Sequence, residues 1–376
     1  MTRDAHTHLA AGAADLLDLD LREVHSPLEL AVVLAPSASA VAPGCWIRGW
    51  GWDGAVAPED TAPAHHVFLA RRDGHAAWVN PAGRAALGLD RDVKVVTEAA
   101  FDAARRRLPA RSTGERMAAL RPRLAELHRH GIGAVDDMVE AWAPEVYARL
   151  CDGGELPVSI GMWLPEDIAD SEAEAMRREF PSGNPHLAVR GIKIFLDGTL
   201  RARTAALSSP YADEPGTSGE LRVAASEIPE RVARWASRGW PVALHAIGDR
   251  AVTLALEALE GAPPARAGAH RIEHAQVVLR SDLPRFARAG VVASVQPGHW
   301  RDDRRWLAER LGGRPEVLAH PLASFARAGA TMVFGSDWPV SSWDPAEILA
   351  SATDPKRGDE ALDAAEAMAW YTSGPR

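Results

Sequence analysis

Six side chains that can bind or bridge metal ions recur along this sequence, in or beside short apolar runs. They are His6, His8, Lys193, His245, His274 and Asp337. Neutral imidazoles and carboxylates are the usual protein ligands of Zn²⁺ and similar divalent cations, and a catalytic site keeps one coordination position for water. Two such ions close together could activate both a shared hydroxide and a substrate carbonyl. The residue types therefore favour metal-assisted hydrolysis.

Lys193 is the unusual member of the set, because it places a cation inside the apolar run GIKIFLDGTL (191–200). An amine buried near metal ions is disfavoured as an ammonium, loses its proton readily and can react with CO₂ to form a carbamate carboxylate. A carboxylated Lys193 would supply the anion that a pair of cations needs as a bridge.

Each of these residues is, taken alone, also typical of ordinary structure. The pair His6 and His8 could lie in a core or on a surface, and Asp337, before Trp338-Pro339, could cap a turn. Lys193 could extend its stem to reach solvent. A shared site is favoured by the order in which they occur, HxH, Lys, His, His and Asp, each on a separate β-like run.

Eight short β-like runs alternate with segments of helical periodicity, and five of the runs carry the six residues. The runs are 3–9, 131–138, 156–164, 189–197, 239–247, 270–276, 290–297 and 329–337. Such alternation is typical of parallel strands joined by right-handed crossovers. It predicts an α/β fold, a (β/α)₈ TIM barrel with functional side chains at the C-terminal ends of its strands. An open doubly wound sheet is disfavoured, because no run is followed by a phosphate-binding glycine loop.

Residues 20–110 interrupt this alternation and are dense in Trp, Gly and His. We expect them to form a small inserted subdomain after the first strand, packed over the barrel mouth. Residues 1–19 and 111–376 would then form the barrel.

Composition limits the classes of partner and the compartment. The net charge of −9 argues against a nucleic-acid partner, which needs clustered basic surface. The two cysteines form no disulfide framework, which predicts a reducing cytoplasm. No run approaches the roughly 18 apolar residues of a membrane span, and the first residues lack a secretory pattern, so we expect no membrane association. A small-molecule substrate is the expected partner.

The sequence motifs around the six residues resemble those of the amidohydrolase superfamily, and within it those of the amidohydrolase-3 group of YtcJ-like metal-dependent hydrolases, which includes N-substituted formamide deformylases. The motifs are DAHTHL, WIRGWGWD, RRDGHAAWVN, GIKIFLDGTLRARTAAL, LHAIGDRAV, RIEHAQ, VVASVQP and FGSDWPV. They span residues 4–340, nearly the whole chain.

The resemblance implies a role for each of the six residues. His6 and His8 would hold the more buried metal, carboxylated Lys193 would bridge, and His245 and His274 would hold the second metal. Asp337 would be both ligand and general base. The implied cofactor is one or two divalent cations, with zinc expected, and the implied reaction is attack of metal-activated hydroxide on an amide carbonyl.

Further residues in these motifs are candidates for the substrate pocket. His75 is expected to contribute to catalysis, and the expected substrate-binding residues are Trp50, Trp52, Asp73, Asp197, Arg203 and His299. The tryptophans are equally typical of core packing.

Two features depart from the group. The sequence appears without the flanking segments that form a small β-sandwich in that group, so a homodimer or another chain could cover that flank. Arg201-Ala202 stands where a small Gly-Ser pair is more usual, and a cation there could reshape the pocket or pair with an acidic substrate.

The expected function is hydrolysis of a C–N amide bond of a small molecule, with N-formyl or N-acyl amines as the leading substrates. Two alternatives stay open. One is a decarboxylase, ring-opening or isomerising lyase on the same metal site. The other is a catalytically silent binding protein.

Overall fold

The computed structural model describes residues 2–54, 62–71, 74–266 and 268–372. The chain divides into two compact units, one formed by residues 1–10 and 121–376 and the other by residues 11–120. Asp73, one of the expected substrate-binding residues, lies outside the described residues. Within those residues, no helix combines the length and the apolar character needed to cross a membrane.

Strands and helices alternate through most of the chain. The strands are β1 (Thr2–Thr7), β2 (Leu19–Asp20), β3 (Trp46–Trp52), β4 (His66–Arg71), β5 (Ala76–Val79), β6 (Val95–Thr97), β7 (Ile132–Met138), β8 (Ser159–Pro165), β9 (Leu187–Phe195), β10 (Val242–Ala246), β11 (Arg271–His274), β12 (Val277–Leu279), β13 (Val292–Val295), β14 (Val317–Ala319) and β15 (Met332–Phe334). The α-helices are α1 (Leu9–Asp15), α2 (Pro27–Ala40), α3 (Pro81–Leu87), α4 (Glu98–Arg107), α5 (Thr113–Arg129), α6 (Ala143–Asp152), α7 (Asp170–Glu179), α8 (Ile228–Ala236), α9 (Asp249–Glu260), α10 (Leu283–Ala289), α11 (His299–Asp303), α12 (Leu307–Leu311), α13 (Leu322–Arg327), α14 (Pro345–Ala352) and α15 (Ala364–Thr372). Short 3₁₀ turns occupy Ala225–Glu227 and Pro355–Glu360.

Eight parallel strands form the central sheet of the larger unit, in the order β1, β7, β8, β9, β10, β11, β13, β15. The last strand returns to the first: Asp337 N–H donates to the carbonyl oxygen of His6 at 2.8 Å, and His8 N–H donates to that of Trp338 at 2.8 Å. The predicted (β/α)₈ barrel is therefore confirmed.

The strands of this sheet are buried along nearly their whole length, as their apolar sequences allow. In β9, LAVRGIKIF, seven of nine residues are buried, including Ile192, Lys193 and Ile194. Strands covered on both faces read as apolar runs rather than as alternating patterns. The helices supply the outer cover through apolar stripes, as in α9, where Val252, Leu256 and Leu259 are buried.

The smaller unit contains a mixed sheet in the order β2, β3, β4, β5, β6. Its first three strands are parallel and its last two pairings are antiparallel. Asn80 begins α3 by accepting a hydrogen bond from Gly83 N–H at 2.8 Å, and Gly88 ends it in the left-handed conformation at φ 64°.

Gly191 tests the packing of β9 beside Lys193. A Cβ atom on Gly191 would lie 2.5 Å from the carbonyl oxygen of Pro241 and would also overlap the ring of Trp163. We expect Gly191→Ala to lower the free energy of unfolding by about 1–3 kcal/mol, because a rigid backbone atom and a buried ring must move. Urea denaturation followed by circular dichroism measures this change.

Gly183→Ala is the matched control, because nothing lies within 4 Å of a Cβ at that position. The urea concentration at which half of Gly183→Ala is unfolded should stay close to that of the parent protein. Equal urea midpoints for Gly183→Ala and Gly191→Ala would show that β9 tolerates a side chain at Gly191.

Candidate metal centre

The C-terminal ends of the barrel strands bring the six sequence-predicted residues to one region. His6 lies near the end of β1 and His8 follows that strand, Lys193 lies in β9 and His245 in β10. His274 is the last residue of β11, and Asp337 comes three residues after β15.

Asp337 lies beside the imidazoles of His6 and His8. Its Oδ1 is 3.1 Å from His6 Nε2 and 3.3 Å from His8 Nε2. The ring of His274 lies 4.9 Å from that of His6 and 4.5 Å from that of His245, measured between centroids. Two groups of three, His6–His8–Asp337 and His274–His299–Asp337, each bring their ligand atoms within 4.8 Å of one another. Asp337 is common to both groups.

Several polar atoms at this place are buried without a hydrogen-bond partner in the described part of the chain. They include His6 Nε2, Lys193 Nζ, His299 Nε2 and Asp337 Oδ1. Buried polar atoms are nearly always satisfied, so such a group of exceptions needs an explanation. Imidazole nitrogens and a carboxylate oxygen are the ligands that divalent transition metals take, and the donor set therefore fits a metal ion.

Electrostatics keep Asp337 ionised and His274 neutral, the forms that can bind a metal. Burial alone would raise the pKa of Asp337, but His6 and His8 outweigh burial and hold that pKa well below its usual range. Burial, with the neighbouring His245, lowers the pKa of His274 well below its ordinary value.

Lys193 is buried, with 3% of its surface exposed. Its Nζ lies 4.9 Å from the centre of the Phe195 ring. Burial lowers the pKa of Lys193 to about 8, although Glu273 and Asp337 oppose the shift. A neutral amine, the form that reacts with CO₂, is therefore more accessible here than on a surface lysine.

Glu273 fixes the orientation of His6, and sequence reasoning had not singled it out. Its Oε2 lies 2.6 Å from His6 Nδ1, while Arg271 Nε donates to its Oε1 at 2.7 Å. The pKa of Glu273 is lowered because Arg271 and His6 overcome the effect of burial. An ionised Glu273 accepts the Nδ1 proton, so a neutral His6 carries its lone pair on Nε2, which lies 3.1 Å from Asp337 Oδ1.

Arg271 holds Glu273 in turn and is itself almost completely buried. It donates to Asp136 Oδ2 at 2.9 Å, to the carbonyl oxygen of Ala5 at 2.6 Å and to Ser294 Oγ at 2.9 Å. Arg271 and Glu273 alternate in β11, all four residues of which are buried. Charged side chains in such a strand must find partners.

The backbone adopts left-handed conformations at two of the candidate ligands. His274 has φ 76°, its neighbour Ala275 has φ 42°, and Asp337 has φ 57°. Non-glycine residues in this region are uncommon and occur often at functional sites. The turns redirect both side chains where their strands end.

Two expected substrate-binding residues have structural partners in the larger unit. Asp197 is fully buried and accepts backbone N–H bonds from Ala206, Ile247 and Gly248 at 2.8–3.0 Å. Arg203 forms ion pairs with Asp213 at 2.8 Å and with a neighbouring glutamate. Asp197 thus anchors the two loops that follow β9 and β10.

Three expected residues lie in the smaller unit. Trp50 and Trp52 are buried in β3, where Trp52 packs in an apolar cluster and the guanidinium of Arg22 lies 5.3 Å from the Trp50 ring centre. His75 Nδ1 lies 2.8 Å from Glu98 Oε2. These contacts account for how the three side chains are held within their own unit.

The chain belongs to the amidohydrolase family. The sequence model of that family (Amidohydro_3) matches residues 3–376. The family resemblance of the sequence motifs is thereby confirmed, and the parallel barrel with imidazoles at its strand ends agrees with it.

Individual relatives are similar over almost the full chain. The putative amidohydrolase YtcJ of Bacillus subtilis is 28% identical, over 99% of this chain and 78% of its own length. An N-substituted formamide deformylase of Arthrobacter pascens is 25% identical, over 99% of this chain and 77% of its own length. The crystal structure of an uncharacterized metal-dependent hydrolase from Pyrococcus horikoshii superposes with a TM-score of 0.80 at 28% identity, over 99% of this chain and 80% of that one.

Glu273→Gln tests the orientation of His6. The variant keeps the size of the side chain but removes the charge that accepts the Nδ1 proton. We expect the affinity for Zn²⁺ to fall by about 10–100-fold, the usual effect of removing a partner that orients a metal ligand. Competition titration against a fluorescent chelator measures the dissociation constant.

Glu260→Gln is the control, because it removes an ion pair between Glu260, the last residue of α9, and Arg285 on α10. It should leave the affinity for Zn²⁺ unchanged. Unchanged affinity in a folded Glu273→Gln protein would show that the carboxylate does not position His6.

Proposed function

We propose that the protein is a metal-dependent hydrolase that cleaves a C–N amide bond of a small molecule, with N-formyl or N-acyl amines as the leading substrates. The observation that carries the proposal is the group of buried ligand atoms at the ends of the barrel strands that have no hydrogen-bond partner within the described ranges. Membership of the amidohydrolase family supports hydrolysis. The similarity to an N-substituted formamide deformylase supports the choice of bond.

The residues divide into two sets of metal ligands. His6 and His8 would hold one ion with Asp337, and His245 and His274 would hold the second, with carboxylated Lys193 between them. When bound, such ions lower the pKa of a water molecule and polarise a substrate carbonyl.

Asp337 is the side chain best placed to move protons in this reaction. It is ionised, because His6 and His8 hold its pKa well below the usual range. Its Oδ1 lies 3.1 Å from His6 Nε2 and 3.3 Å from His8 Nε2, where the candidate metal ligands meet, and the carboxylate would accept a proton from the attacking water there. The protonated carboxyl group would then return that proton to the amine nitrogen as the C–N bond breaks.

Asp337→Asn tests this role. We expect kcat for amide hydrolysis to fall by about 100–10,000-fold, the range that general acid–base groups contribute. The substrates are a panel of N-formyl, N-acetyl, carbamate and cyclic amide compounds, assayed with the Zn²⁺-loaded protein. Removal of the metal with a chelator should abolish turnover and re-addition should restore it.

Several outcomes would contradict the proposal. Release of CO₂, or a product formed without added water, would indicate a lyase on the same site. Full turnover in Asp337→Asn would exclude the proton-transfer role. Zinc binding below half an equivalent in the parent protein, unchanged in Lys193→Ala, would exclude the pair of metal ions.

Lys193 carries a separate prediction, that it forms a carbamate. Incubation of the Zn²⁺-loaded protein with ¹³C-bicarbonate should give one carbamate resonance in the ¹³C NMR spectrum, because the buried amine has a pKa of about 8. The resonance should be absent from Lys193→Met and present in Lys356→Met, which changes a lysine distant in sequence. A spectrum of Lys193→Met that keeps the resonance would assign the carbamate elsewhere.

A further inference from the structure

Two imidazoles at the metal centre have amide side chains as partners, and the two pairs are arranged reciprocally. Gln296, three residues before His299, contacts His274, and Gln276, two residues after His274, contacts His299. The imidazole rings of His274 and His299 are nearly parallel, with an interplanar angle of 12° and centroids 6.0 Å apart. The pairs differ in which amide atom faces the imidazole.

His274 faces an amide oxygen. Its Nδ1 lies 2.8 Å from Gln296 Oε1, and the amide nitrogen of Gln296 donates to the carbonyl oxygen of Ser294 at 3.3 Å. An amide oxygen only accepts, so Nδ1 of His274 carries the proton. The lone pair of His274 is therefore on Nε2, as a metal ligand requires.

His299 faces an amide nitrogen. Its Nδ1 lies 2.7 Å from Gln276 Nε2, which only donates. Nδ1 of a neutral His299 therefore accepts, and the proton is on Nε2. That Nε2 is buried, has no hydrogen-bond partner among the described residues and lies 3.4 Å from Asp337 Oδ2.

Gln276 is held in place by its backbone. Its carbonyl oxygen accepts a hydrogen bond from His320 N–H at 2.6 Å, and the antiparallel ladder between β12 and β14 begins at the next residue, Val277, which pairs with Ala319. Only 5% of Gln276 is exposed. The backbone that carries the amide is therefore fixed beside His299.

We propose that His299 is not a metal ligand but a fixed Nε2–H donor beside Asp337, whose tautomer is set by Gln276. This inference rests on the proposed function for the role of the donor. His299 would donate a hydrogen bond to the carbonyl oxygen of the substrate and stabilise the negative charge that develops there. The Nε2–H bond is not broken, so Asp337 alone moves the proton between water and amine.

The tautomer can be read without any substrate. In protein with ¹⁵N-labelled histidine, loaded with Zn²⁺, a long-range ¹H–¹⁵N spectrum distinguishes the protonated nitrogen of each imidazole from the nitrogen with a lone pair. The signals of His299 are those lost in His299→Asn. We expect Nε2 to be the protonated nitrogen, and a proton on Nδ1 with a free lone pair on Nε2 would overturn the proposal.

The same substitution at the two glutamines gives a matched comparison. Gln296→Met removes the acceptor of His274 and should weaken Zn²⁺ binding by about 10–100-fold. Gln276→Met and His299→Asn should leave the Zn²⁺ dissociation constant unchanged. Loss of Zn²⁺ affinity in His299→Asn comparable with that in Gln296→Met would show that His299 is a ligand.

Kinetics separate a donor from a residue that only packs. His299→Phe should lower kcat by about 100–1,000-fold with little change in KM, because the hydrogen bond strengthens as charge develops. His299→Asn, which keeps an N–H donor, should recover part of this loss. Gln276→Met should lower kcat in the parent protein but have no further effect in the His299→Phe background. An equal additional loss in that background would show that Gln276 does not act through His299.

Failure of this inference and failure of the proposed function have different signatures. A parent protein that binds Zn²⁺ but hydrolyses none of the amides contradicts the function, while the NMR spectrum still reports the tautomer of His299. A parent protein that hydrolyses amides, with a lone pair on Nε2 of His299, contradicts only the inference.

Discussion

The candidate metal centre depends on one buried guanidinium. Arg271 on β11 reaches three other barrel strands, through the carbonyl oxygen of Ala5 on β1, Asp136 on β7 and Ser294 on β13. Leaving such a cation without partners would cost several kcal/mol, so the four strands are restrained to positions that keep its hydrogen bonds. Glu273 completes the set and extends it to His6. The geometry of the first candidate ligand is therefore a consequence of how the barrel neutralises a charge in its interior.

Much of this arrangement could be predicted from the sequence, because it depends on features that are local in the chain. Parallel strands buried on both faces read as apolar runs, and eight runs separated by helical segments define the barrel. A residue at the end of such a run must lie at the mouth, which places His245, His274 and Asp337 together without knowledge of their contacts. Lys193 is also indicated by a local feature, because it is a cation within an apolar strand.

The parts that could not be predicted depend on pairs that are distant in sequence. Glu273 and His6 are separated by 267 positions, and no local pattern indicates that one orients the other. The roles of Gln276 and Gln296 depend on which amide atom each presents, a property of three-dimensional position alone. Asp197 and Arg203 show a different limit, because the motifs that contain them do not indicate their contacts. Asp197 accepts hydrogen bonds from three backbone amides and lies 3.5 Å from His245 Nε2, and Arg203 pairs with acidic side chains.

The left-handed backbone at His274, Ala275 and Asp337 has a consequence for how this protein can be stabilised. Each such conformation in a non-glycine residue costs of the order of 1–3 kcal/mol, which the rest of the barrel must offset. Ala275→Gly would relieve the strain and raise thermal stability. The same substitution would make the backbone that orients the side chain of His274 more flexible. Selection for heat resistance alone would therefore favour changes at these turns that selection for turnover would reject.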